Sequence, residues 1–170
     1  WACSRESLQD VLRQDELDRW MAANDVDVLA TTHTCAPAAL SLARGLVVNN
    51  GAAGLPNFAG QHFGLTVRVA AAPHPDALFG AERDGLHVEA VPVRYDHDAY
   101  LAWFDGLWPA ASPAAVSYRS RIVDGADDRL EDALLGGFRR GPSARTDAPP
   151  RRSRATKDDV ELALAGLVYF

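Results

Sequence analysis
A chain of 170 residues, 48 % of them hydrophobic, carries a net charge of −6, which reads as one globular core with a tail. No uninterrupted apolar run reaches membrane-spanning length, so a membrane partner is not expected. Residues 1–138 hold 10 Arg against 19 Asp and Glu, an acidic body that disfavours nucleic acid as a ligand.

Cys3 and Cys35 make no disulfide framework, which points to a reducing cytoplasm. Leu17, Trp20 and Met21 recur at helical spacing and predict a helix over 15–23. A strand over 26–30 follows, ending at the loop Thr31-Thr32-His33-Thr34-Cys35-Ala36-Pro37. The stretch 38–48, broken by Arg44-Gly45, reads as a hairpin, and its second arm runs into Asn49-Asn50-Gly51-Ala52-Ala53-Gly54-Leu55-Pro56. Residues 64–70 alternate at a strand period with Leu65, Val67 and Val69 on one face. Asp84-Gly85 between the apolar runs 77–82 and 86–95 is a hairpin signal.

After Asp96 the period becomes helical. Tyr100, Leu101, Trp103, Phe104, Leu107 and Trp108 crowd one helix that Pro109 ends. Ser112-Pro113 opens a second helix with an N-cap and a proline in its first turn, and 130–135 predicts a third. The fold class expected is α+β. Residues 139–157, with seven basic residues against Asp147, read as a solvated linker. Thr156 and Asp159 suggest a capping box for a short helix, which needs a docking surface or offers one for self-association.

The two strand-to-loop segments together resemble the C-terminal half of the calcineurin-like metallophosphoesterases. In that family a late strand ends in Gly-His-x-His, and the next runs into Asn-Pro-Gly-Ser-x-Gly-x-Pro. Here His33 stands at the first histidine, Cys35 replaces the second, Thr32 replaces the glycine, Thr34 is the spacer and Pro37 keeps its place. Asn49, Gly51, Gly54 and Pro56 match the second motif, while Asn50 and Ala52 replace its proline and serine. The likeness covers roughly residues 14–96, and Leu86–Asp96 resembles the family's closing strand.

The resemblance implies a four-layer α/β/β/α sandwich with a dinuclear site between its sheets. It implies metal-dependent hydrolysis of a small-molecule phosphoester by a metal-activated water. His33 and Cys35 would be metal ligands, with Thr32, Thr34, Asn49, Asn50 and Gly51 in the near-site loops. The family's upstream motifs (Asp-x-His, Gly-Asp-x-x-Asp, Gly-Asn-His) do not occur here, and the chain opens on Trp1 rather than Met. The expectation is therefore a fragment, with two divalent ions (Zn, Fe or Mn) completed by residues outside it. Three segments follow: 1–137 as the phosphoesterase-like portion, 138–157 as linker and 158–170 as terminal helix.

Alternatives stand beside this reading. A histidine at a strand end is often merely exposed, and a free cysteine often behaves as a small buried hydrophobe. Asn49–Ala52 also reads as an ordinary strand-terminating turn. A degenerate, non-catalytic binding module fits the same residues, and a thiol hydrolase using Cys35 is a weaker option. His62, His74, His87 and His97 show no ligand spacing and read as structural or surface residues.

Overall fold
The structure is a computed structural model and describes residues 1–145. The expected terminal helix over 158–170 and its capping box lie outside the described residues.

Two helices open the chain. α1 (Arg5–Gln9) starts at Ser4, whose hydroxyl accepts from the Ser7 N–H, and α2 (Val11–Ala23) starts at Asp10, whose carboxylate accepts from the Leu12 N–H. The second helix extends the expected one by a turn toward the N-terminus, and its Leu17 and Met21 are buried as the spacing demands. The first sheet follows, from β1 (Val28–Thr31), β2 (Ala38–Ser41) and β3 (Leu46–Asn49), with a late strand β7 (Leu134–Gly136), in the order β1-β3-β2-β7. β2 and β3 form the expected antiparallel hairpin, while β1 runs parallel to β3. The second sheet is antiparallel, with β4 (Phe63–Ala70), β5 (Phe79–Arg83), β6 (Leu86–Arg94) and β8 (Arg139–Arg140) in the order β4-β6-β5-β8. Asp84 and Gly85 both adopt left-handed φ (52° and 79°) in the β5–β6 turn, the backbone a two-residue type I′ hairpin needs.

The inner strands β2 and β3 of the first sheet are buried on both faces, which is why they read as near-continuous apolar runs. Ala39, Leu46 and Val48 face the second sheet, joining Phe58, Phe63, Leu65, Phe79, Val88 and Ala90 in one core. Ala38, Leu40 and Val47 face the opposite way, onto Cys3, Leu8, Leu17 and Met21. The described layers are thus helix, sheet, sheet. The outer face of the second sheet is polar: Arg68 pairs with the buried carboxylate of Glu89 at 2.8 Å, and the His74 N–H donates to it as well.

α3 (His97–Leu107) and α4 (Pro113–Asp124) form a third cluster around Phe104, Ala115 and Ile122, packed on Leu55. Ser112 caps α4 as its sequence suggests, its hydroxyl accepting from the Ala115 N–H.

Two expectations are corrected. The helix expected over 130–135 is a single 3-10 turn (Leu130–Ala133) followed by β7. Leu134 packs into the core between the sheets and Leu135 into the core beneath the helices, a division that the two-residue period of a strand permits and one face of a helix does not. Residues 138–145, expected within the linker, belong to the fold. Phe138 is buried edge-on against Phe79, with ring centroids 6.5 Å apart, and Arg139 and Arg140 pair with β5.

Candidate functional site
The parallel pairing of β1 and β3 brings the two motif loops together. Its register ends at Thr31↔Asn49, so both strands finish level and the loops that follow start side by side. Loops at the carboxyl ends of parallel strands are a common place for ligand sites. Here the backbones interlock: Asn50 N–H donates to Thr31 O and His33 N–H donates to Gly51 O, each at 3.1 Å.

His33 and Cys35 both have left-handed backbones, with φ of 80° and 58°. Such a conformation costs a non-glycine residue about 1–3 kcal/mol and persists only where surroundings enforce it. Two arginines provide that enforcement. Arg121 on α4 donates from Nη2 to Cys35 O at 2.7 Å and from Nε to Pro56 O at 2.8 Å, tying both loops to one helix. Arg5 on α1 donates to Pro37 O at 3.1 Å and pairs with Asp128 at 2.6 Å. His33 and Thr32 are exposed, Cys35 and Thr34 are half-buried, and the Thr34 hydroxyl donates to Ala36 O at 3.1 Å.

The second loop is built from asparagines. Asn49, fully buried, donates to Ala2 O and Cys3 O and accepts from the Gly51 N–H at 2.8 Å. It therefore moors the N-terminal segment. Asn50 donates to Leu65 O at 2.6 Å, and its buried Oδ1 has no partner among the described residues. Asn57, fully buried, accepts from the Ala52 N–H at 2.9 Å and donates to Ala52 O and Leu55 O. Gly51 has φ +71°, and a Cβ there would sit 2.4 Å from Asn57 Oδ1 and 2.9 Å from Pro37. Only glycine suits that position. At Gly64 the reason is approach, since a Cβ would lie 1.6 Å from the Ala53 carbonyl oxygen where the loop crosses β4.

Asn57, Arg121 and Arg5 are absent from the sequence-derived site. Asn57 directly follows the second motif, whereas the neighbourhoods of Arg5 and Arg121 carry none, and Arg121 lies 86 positions from the residue it holds.

Among the described residues no group of three or more His, Cys, Asp or Glu is placed to hold a metal ion. His33 and Cys35 thus do not by themselves make up a dinuclear centre. Two clefts open among the described residues at other places, and neither is lined by His33 or Cys35. One, of about 390 Å³, runs along the last turn of α4 from Ser120 to Asp128 and includes Arg121. The other, of about 450 Å³, lies on the outer face of the second sheet beside His74, His87, Glu89 and Arg139. His62 and His97 stack with centroids 3.9 Å apart, and their Nε2 atoms donate to Val123 O and Ile122 O at the end of α4. Burial pushes the Cys3 thiol up from its ordinary value, partly offset by the N-terminal charge and a hydrogen bond with Thr31.

No described helix is long and apolar enough to cross a membrane. Compared with protein-family models, with curated proteins and with solved structures, the chain finds no match in any of the three.

Proposed function
We propose that this chain is part of a metal-dependent phosphoester hydrolase, contributing His33, and Cys35 as a second donor, to a centre completed by residues outside it. The observation that supports this reading is the level ending of β1 and β3, which sets an exposed imidazole on a strained loop beside the Asn49–Gly51 turn. Divalent ions bound there would polarise a phosphoryl oxygen and acidify a bound water. The chain's own residues present the imidazole, fix its loop through Arg5 and Arg121, and keep the neighbouring turn rigid through Asn49 and Asn57. A four-layer sandwich would then be the architecture of the whole protein, with a small phosphoester as substrate and the cytoplasm as its compartment.

The test is metal content and hydrolysis of simple phosphomono- and phosphodiesters by the purified full-length protein with Zn²⁺, Mn²⁺ or Fe²⁺, alongside His33→Ala. The reading expects stoichiometric metal that falls in the variant, with activity falling by at least the roughly 10–100-fold seen when a ligand's outer-shell partner is removed. Inactivity with every metal sinks it. The second reading, a degenerate binding module, is favoured by Thr32 and Cys35 standing where the resembled family has glycine and histidine. It predicts no bound metal and a His33→Ala protein altered in stability alone.

A further inference from the structure
Two histidines complete the end of α4. The last carbonyls of a helix have no partner within it, and here each is met from beyond the helix. Arg121 O accepts from the Gly125 N–H at 3.0 Å and Asp124 O from the Gly60 N–H at 3.1 Å. Between them, Ile122 O accepts from His97 Nε2 at 2.7 Å and Val123 O from His62 Nε2 at 2.9 Å. The two imidazoles come from different parts of the chain, His62 from just before β4 and His97 from the first turn of α3. They lie one on the other, with centroids 3.9 Å apart and planes at 9°.

A carbonyl oxygen only accepts, so each Nε2 carries a proton and each Nδ1 is the place where a further one would land. A helix C-terminus attracts a cation, and His97 Nδ1 lies 3.7 Å from Asp98 Oδ1, so one proton on the pair suits this arrangement. A second would set two like charges face to face at the stacking distance, where they repel. The other charged groups on the elements meeting there are Asp96 at the start of α3, Asp124 at the end of α4, Asp127 and Asp128 in the loop after it, and Arg94 over the Phe63 ring. Asp96, Asp98, Asp124 and Asp127 are exposed, so solvent screens them. Asp128 is paired with Arg5.

The turn that these rings hold is the one that carries Arg121, whose guanidinium reaches Pro56 O and Cys35 O. The Ala59 N–H on Asp128 O and the Ala59↔Gly125 bridge fasten the same turn to the segment leading into His62. Parting the rings frees Ile122 O and Val123 O together and loosens the support of the left-handed Cys35 backbone.

We propose that the His62–His97 stack is a proton-operated brace on the His33–Cys35 loop, which holds with at most one extra proton on the pair and opens when the second binds. The inference concerns the order of that loop and is independent of the metal-site reading, since its readouts need neither metal nor hydrolysis.

The test uses the full chain. Long-range proton–nitrogen NMR follows both rings from about pH 8 to about pH 5, the interval in which histidines ordinarily change charge. The brace expects Nε2–H on both rings at the upper end and ring-to-ring NOEs that disappear as the second proton binds. An Nδ1–H form of either neutral ring, or NOEs that persist to the lower end, overturns it. Loop order is read separately, as the rate of Cys35 modification by a disulfide reagent relative to a short peptide spanning residues 32–38 at the same pH. That ratio removes the reagent's own dependence on thiolate. It should rise by roughly tenfold or more on acidification, as a local opening becomes populated. In His62→Gln it should stay flat, because glutamine keeps an N–H for Val123 O and takes no proton; His97→Gln makes the same test against Ile122 O. A flat ratio in the parent, or a rise of the same size in either glutamine variant, overturns the proposal.

Discussion
Asn57→Ala offers the sharpest test of how the 49–57 loop is held. The Asn57 side chain is fully buried and makes three hydrogen bonds, one from the Ala52 N–H and two to the carbonyls of Ala52 and Leu55. Each contributes a net 0.5–1.5 kcal/mol in general, and removing the shared partner also leaves a part-buried N–H unsatisfied, so the loss is about 3 kcal/mol. Against a typical stability of about 5–15 kcal/mol this is a large fraction. It corresponds to a fall in Tm of roughly 6–12 °C for a chain of this size. Urea unfolding followed by tryptophan fluorescence measures it directly, with the midpoint moving by roughly 1.5 M if m is about 2 kcal/mol/M. Asn57→Asp keeps an acceptor for the Ala52 N–H but turns a second oxygen toward two carbonyls. At neutral pH it is expected to be at least as damaging as alanine. A loss below about 1 kcal/mol for alanine, or an aspartate variant as stable as the parent, would refute the argument that this side chain organises the loop.

Other consequences follow from neighbouring geometry. Gly51→Ala forces a left-handed alanine and displaces Asn57 Oδ1, which should cost about 2–4 kcal/mol in the same urea assay. A thiol reagent should modify Cys35 in the native protein while Cys3, buried and with its thiol pushed up, reacts only on unfolding; Ellman titration with and without denaturant checks this. Arg121→Ala should speed Cys35 modification by releasing its carbonyl, and a rate equal to the parent's would show the clamp to be dispensable. Burial raises the Tyr95 and Tyr100 hydroxyls above the ordinary tyrosine value. Their neutral forms are therefore favoured in the fold, so this contribution is complete below the unfolded tyrosine pKa and is lost as pH rises through the folded one. Unfolding midpoints should fall on the alkaline side of about pH 10, and less steeply in Tyr95→Phe.

Features that depend on local chemistry and period were legible in the amino-acid order. The Leu17/Met21 stripe, the 38–48 hairpin, the Asp84-Gly85 turn and the Ser112-Pro113 helix start all stand in the structure because caps, turn residues and alternation act over a few positions. Placing His33 on a loop at a strand end was also within reach of the apolar run before it. Tertiary structure alone decided that Leu134 and Leu135 lie in a strand, because that assignment depends on two cores lying on opposite sides of one sheet. It likewise decided that Asn49 serves as a mooring for the N-terminus rather than as an open loop residue. The arginine clamp was equally hidden, since Arg5 and Arg121 lie 32 and 86 positions from the carbonyls of Pro37 and Cys35. Hydrogen bonds between residues so far apart have no period to leave in a sequence; only the fold brings their atoms within hydrogen-bonding distance.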